Sequence, residues 1–167
     1  MRNSIAKRQY PLAQPSKARK MTSVDQAIVD TCARLFTDHC PPSVVNETEN
    51  GTWPAQLWQV VEDTGLTLAW IPEEHAGAGA SLADGFAIAR KAAEYAVPLP
   101  LAETLLGGWL LTQADLSSPQ GPMAIAPLTH QSSFRLDDNG AVSGTASRIQ
   151  FASSAVHVPA VLLSPHH

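Results

Sequence analysis

Apolar residues at Val24, Ala27, Ile28, Cys32, Leu35 and Phe36 recur at three- and four-residue spacing, the period of a helix that buries one side. Ser23 stands where an N-cap is needed, and Pro41-Pro42 lack the N–H groups that would continue the helix. Residues 43–51 are polar and predict a loop. Thr52-Trp53-Pro54 opens a second helix with proline in its first turn, and Leu57, Trp58, Val60 and Val61 are its buried side. Gly65 is the expected left-handed residue after its end. Residues 66–71 are apolar but too short for another amphipathic helix, so they predict a buried extended connection. Residues 72–81 contain Gly77 and Gly79 and predict a flexible loop. Ser81 and Asp84 form a variant of the capping box, opening a helix that runs to about Tyr95. Leu82, Phe86, Ala89 and Ala93 are its expected inward residues, with Ile88 as a further candidate.

Val97-Pro98-Leu99-Pro100 is a stiff break. The segment from Leu101 to Ala114 is apolar on nearly every side, so it predicts a central helix. Its Gly107-Gly108 pair costs about 1 kcal/mol per glycine relative to alanine, which implies a packing notch or the close approach of a ligand. Beyond Pro119 the period changes. Met123 to Ala126 predicts a buried strand. Ser133 to Leu136 and Ala141 to Ser143, joined through Asp137-Asp138-Asn139-Gly140, predict a hairpin, for which Asn-Gly is a strong signal. Val156 to Val158 and Val161 to Leu163 predict further strands. The fold class is therefore α+β, four helices followed by antiparallel strands. The expected organisation is a disordered basic leader over 1–20, a helical domain over 21–117 and a partial β-domain over 118–167.

Charge changes the picture at one end. Residues 1–20 hold Arg2, Lys7, Arg8, Lys17, Arg19 and Lys20 and no acid, which leaves five bases against 15 acids in the rest. An acidic body argues against nucleic-acid binding, which requires a basic footprint. The leader lacks a helical apolar stripe and is broken by Pro11 and Pro15, so a tail ahead of a start at Met21 is favoured over a transit peptide. No apolar run reaches the ~18 residues of a membrane span, and a cytoplasmic protein is expected. Cys32 and Cys40 predict no disulfide. With His39 they also make a poor metal site, because no second ligand cluster matches them, and no metal is assigned.

The stretch Gly65-Leu66 through Ile71-Pro72-Glu73-Glu74-His75-Ala76-Gly77-Ala78-Gly79 resembles the acyl-CoA dehydrogenase family, in which a helix-ending glycine and a short apolar run precede Pro-Glu-Glu-(Tyr or His)-Gly-Gly-x-Gly. Ala76 replaces the first of those glycines. Ser81-Leu82-Ala83-Asp84 and Pro98-Leu99-Pro100-Leu101-Ala102-Glu103-Thr104 resemble the bacterial branch, and the likeness covers about residues 22–165. It implies an N-terminal helical domain of that family followed by an incomplete antiparallel β-domain. It also implies FAD as cofactor, acyl-CoA as substrate and an electron-transfer flavoprotein as partner. In the family a carboxylate takes the α-proton and the β-hydrogen leaves as hydride to the flavin.

The same resemblance implies that Leu101, Thr104, Leu105 and Gly108 face the acyl chain. The family's flavin-contacting Thr-Glu-Pro segment is absent, and Ala126-Pro127-Leu128-Thr129-His130 stands there, making Thr129 and Leu128 the candidate FAD contacts. The family's C-terminal bundle and its glutamate base have no counterpart, so no catalytic residue is assigned. Glu73 and Glu74 are expected to be solvated, and Glu103 to favour the helix dipole. The leading expectation is an inactive fragment or one piece of a split enzyme. The alternatives are a non-catalytic subunit packing on a complete dehydrogenase, or an unrelated helical interaction module. Without a bundle, Leu105, Trp109, Ile125 and Val161 are expected to meet water, and self-association or a partner subunit is expected to cover them.

Overall fold

A computed structural model of the chain describes residues 24–127 and 133–160. The leader over 1–20, Ser23, Leu128, Thr129 and the expected strand at Val161 lie outside the described residues. Among the described residues five helices come first: α1 (Gln26–His39), α2 (Pro42–Glu49), α3 (Ala55–Asp63), α4 (Leu82–Glu94) and α5 (Leu101–Gln113). Strands β1 (Ser133–Leu136) and β2 (Val142–Thr145) follow. Among the described residues no helix is long and apolar enough to cross a membrane.

The helix ends largely follow local chemistry. Asp25 caps α1, its side chain accepting the Ala27 N–H at 2.9 Å. That cap starts the helix at Gln26 and leaves Val24 outside it; Val24 and Ala27 are exposed, Ile28 is half-buried, and the buried side is Val29, Cys32, Leu35 and Phe36. Pro41-Pro42 does end α1, but Pro42 also opens α2, where the sequence predicted a loop. Proline suits a first turn because its missing N–H would be unsatisfied there anyway. No residue of α2 is buried, so it carries no apolar period to reveal it. Pro54 is the N-cap of α3 rather than part of its first turn, and Gly65 adopts φ 73° after that helix as expected. Residues 66–71 are not extended: Leu66–Leu68 forms a 3-10 turn that buries Leu66 and Thr67.

Cys32, Leu35 and Phe36 of α1 pack with Leu57, Trp58 and Val61 of α3, Ile88 and Ala92 of α4, and Leu101 and Leu105 of α5. Each large apolar side chain removed from water contributes about 1.5–3 kcal/mol, so this cluster dominates the stability of the helical part. The inward face of α4 includes Ile88, the further candidate, but otherwise differs from the expected one. Asp84, Gly85, Ala87, Ile88 and Ala92 are buried, whereas Leu82, Phe86 and Ala93 are exposed and Ala89 is half-buried. The cause is Gly85. Trp70 lies where a Cβ at Gly85 would be, donates its indole N–H to the Leu82 carbonyl at 3.3 Å, and meets Phe86 edge-on at 5.0 Å between ring centroids.

The β part begins with Met123, Ala124 and Ala126, buried as expected but joined by isolated bridges rather than a regular strand. Met123 bridges His157 and Ala126 bridges Ala160, both in parallel sense. The hairpin is antiparallel, with Ser133 opposite Thr145 and Leu136 opposite Val142. Leu105 is fully buried, contrary to the expectation that it would meet water, because α5 turns it into the helical core. Trp109 and Ile125 are half-buried.

Candidate functional site

The Pro-Glu-Glu loop is tied down rather than flexible. Ala78 N–H donates to the Leu68 carbonyl at 3.1 Å, Gly79 to Ile71 at 2.8 Å and Ala80 to Ala69 at 2.9 Å. These bonds fold residues 78–80 back along 68–71. A Cβ at Gly77 would overlap the Ile71 carbonyl, so the close approach requires glycine there. Ala76 adopts φ 61°, the left-handed conformation that glycine takes without a Cβ penalty. Glu73 and Glu74 are exposed in a 3-10 turn, as expected for solvated charges.

This folded loop sets α5. Ile71 is buried beneath it, and a Cβ at Gly108 would come within 2.9 Å of Ile71 Cδ1 and 3.0 Å of Ser118 Oγ. A Cβ at Gly107 would meet Met123 Sδ at 3.0 Å and Pro159 Cγ at 3.3 Å. The two glycines are therefore packing notches for the loop and the β segment. Thr104 is also committed: its hydroxyl donates to the Pro100 carbonyl at 2.7 Å and accepts the Met123 N–H at 3.1 Å. Met123 thus finds an acceptor inside the helical core, which joins the β segment to α5.

The four residues that the sequence placed on a substrate face are all buried within the chain: Leu101, Thr104, Leu105 and Gly108. The structure brings them together along one side of α5. The opposite side carries Ala102, Leu106 and Gln113, which are exposed, and Glu103, Trp109 and Leu110, which are half-buried. Leu106 keeps 39% of its surface in water. Leu106 and Leu110 are not among the residues expected at the site from the sequence. A helix apolar all round has no period from which to choose a face, and the packing of the helical core, Ile71, Ser118 and Met123 against the other side makes the choice.

Electrostatics elsewhere are structural. Burial alone would raise the Asp84 pKa, but hydrogen bonds from the Asp25 N–H, the Ser81 hydroxyl and the Ser81 N–H outweigh it and hold the carboxyl below its ordinary 3.8. Burial pushes the Cys32 thiol up to about 11 and raises Cys40 as well, so neither is poised as a nucleophile. Among the described residues no group of three or more His, Cys, Asp or Glu side chains could hold a metal ion. A shallow cavity of about 360 Å³ lies between the end of α1, α2 and the start of α3, lined by Asp38, His39, Glu47 and Trp53 among others. It includes no residue of α5 or of the Pro-Glu-Glu loop. Most of its lining is exposed, so it lacks the desolvation that a reacting centre needs.

Residues 22–114 match the family described as acyl-CoA dehydrogenase, N-terminal domain, a range that contains all five helices. The chain is 28% identical over 133 residues to a protein named acyl-CoA dehydrogenase IpdE2 from Mycobacterium tuberculosis, covering 78% of this chain and 42% of that protein. It is 32% identical over 108 residues to the protein of the same name from Mycolicibacterium smegmatis, covering 62% of this chain and 34% of that one. The chain thus spans less than half the length of the curated relatives it matches. No solved structure matches the chain.

Proposed function

The chain belongs to the acyl-CoA dehydrogenase family, and from that premise we propose that it supplies the N-terminal helical part of a FAD-dependent enzyme that desaturates acyl-CoA thioesters. The observation that carries this reading is the two-sidedness of α5. One side is closed by the chain's own packing, while Leu106, Trp109 and Leu110 leave an apolar strip on the other. In this reading the strip forms one wall of the acyl pocket. Leu101, Thr104, Leu105 and Gly108 act from behind it, fixing the helix position. Bound FAD supplies the hydride acceptor. Thr129 and Leu128 remain its proposed contacts, reached through the segment that Thr104 anchors at Met123. The α-proton is removed by a base outside these 167 residues, whether on the same polypeptide or on another. Electron-transfer flavoprotein is the proposed acceptor of the electrons.

The experiment is co-production of the chain with the coding sequence next to its gene, followed by flavin absorbance and acyl-CoA desaturation with an artificial electron acceptor. The expected result is flavin and turnover in the combined preparation and none in the 167-residue chain alone. Leu106→Trp should then impair long acyl chains more than short ones. Gly108→Phe is unsuitable because it would displace Ile71 and Ser118. Steady turnover by the chain alone, or equal effects of Leu106→Trp on all chain lengths, would overturn the reading.

A second reading, a non-catalytic subunit packed on a complete dehydrogenase, draws support from a different surface. Leu82 and Phe86 are 48% and 63% exposed beside Trp70, an apolar patch suited to protein contact. Recovery of an intact dehydrogenase with the chain, whose own flavin content is unchanged by it, is the outcome expected on that reading.

A further inference from the structure

The chain contains two Asn-Gly pairs, Asn50-Gly51 and Asn139-Gly140. This dipeptide is chemically labile because glycine, lacking a Cβ, lets its backbone nitrogen approach the asparagine amide carbon. Both asparagines are exposed, but their surroundings differ. Asn50 is the C-cap of α2. Its side-chain amide donates to the Asn46 carbonyl at 2.9 Å, and the Gly51 N–H donates to the Thr48 carbonyl at 2.9 Å. Reaction there requires the side chain to leave its acceptor and the helix end to open.

Asn139 sits in the loop between β1 and β2, and the described residues give its amide side chain no partner. Its backbone N–H donates to the Asp137 carboxylate at 3.1 Å, and the Gly140 N–H donates to the Asp137 carbonyl at 3.1 Å. Gly140 has φ 83°, so the turn already uses glycine's freedom. The strands pack chiefly on each other, and none of their residues joins the buried core. A two-stranded hairpin of this kind is marginally stable and opens locally at little free-energy cost.

We propose that Asn139 is a site of spontaneous covalent modification, deamidating through a cyclic imide while Asn50 is protected by its helix end. The Gly140 nitrogen attacks Asn139 Cγ and loses its proton. A C–N bond forms, the Cγ–Nδ2 bond breaks, and ammonia leaves. Water then opens the imide at either carbonyl, giving aspartate or isoaspartate with no change in oxidation state. Each product adds a negative charge beside Asp137 and Asp138. Isoaspartate also inserts a methylene into the backbone, which breaks the pairing that sets Leu136 opposite Val142.

The test uses the full chain in warm, mildly alkaline buffer, once native and once in urea. Trypsin cleaves after Arg135 and Arg148 and isolates Asn139 on one short peptide, and a glutamate-specific protease separates Asn50. Mass analysis then reads conversion at each site over time. The expected result is conversion at Asn139 several-fold faster than at Asn50 in the native chain, with the two rates converging in urea. Asn139→Gln, whose longer side chain disfavours the five-membered ring, should abolish the modified peptide. Equal or faster conversion at Asn50 in the native chain would overturn the proposal. So would a rate ratio that persists in urea, because the local sequence rather than the fold would then set it.

Discussion

The carboxylate of Asp84, on α4, accepts the backbone N–H of Asp25, the N-cap residue of α1, at 2.7 Å. Its other oxygen accepts the Ser81 N–H at 3.0 Å and the Ser81 hydroxyl at 2.6 Å, while Ser81 Oγ accepts the Asp84 N–H at 3.2 Å. One buried side chain therefore completes the capping box of α4 and anchors the start of α1 on it. These two helices share the most extensive helix–helix contact in the structure.

Asp84→Ala should remove both ties at once. Loss of a cap costs about 0.5–2 kcal/mol, and leaving the Asp25 N–H without its acceptor adds to that. Urea unfolding should show a lower midpoint, and amide exchange should quicken first at the starts of α1 and α4. Unchanged exchange at Asp25 would contradict the anchoring role.

The same carboxylate makes stability depend on pH. Folding holds its pKa below 3.8, so on acidification the unfolded chain takes up the proton first. The stabilisation is complete at neutral pH and begins to fall as pH approaches 3.8. It is lost once pH drops through the depressed folded value. Asp84→Asn should flatten this part of the stability profile relative to the parent chain.

Ala76 and Gly77 predict opposite responses. Ala76 holds φ 61°. A left-handed alanine costs about 1–2 kcal/mol, and the extra unfolded-state freedom of glycine offsets part of that gain. Ala76→Gly should therefore stabilise the chain by roughly 0.5–1 kcal/mol. Gly77→Ala must push the Ile71 carbonyl away and should destabilise by about 1–3 kcal/mol, the range for forced overpacking. Equilibrium unfolding of the two variants reads both signs.

Thr104→Val keeps the shape of a buried side chain but removes the acceptor of the Met123 N–H. A buried donor left without a partner costs about 1–3 kcal/mol. Hydrogen exchange at Met123 should accelerate while the α1–α3 core keeps its protection. A uniform loss across the helices would mean that the bond does not specifically hold the β segment.

Cys32 and Cys40 should resist a thiol reagent in the native chain and react together on unfolding. Both are buried, and burial raises both pKa values, so the reactive thiolate is scarce at neutral pH. The Cys40 thiol additionally lies 3.9 Å from the Tyr95 carbonyl. Time-resolved labelling with and without denaturant checks this.

Local chemistry by itself determined several features. The box of Ser81 and Asp84, the left-handed Gly65 and the hairpin around Asn139-Gly140 each depend on residues within one turn of chain. All three stand where the sequence placed them. The likeness of residues 65–79 to the acyl-CoA dehydrogenase loop was also legible, because that loop is a local pattern. Tertiary structure decided what local pattern could not. Helix α2 has no fully buried residue, only Val44 and Val45 half-buried against the core, so no apolar period announced it. On α4, Ile88 is inward, as the sequence allowed, but Phe86 turned outward because Trp70, brought by the folded-back loop, fills the notch at Gly85. On α5, apolar residues on every side left its orientation open. Ile71, Ser118 and Met123 closed one side and left Leu106 on the other, since burial on a helix apolar all round depends on which distant segments pack against each face.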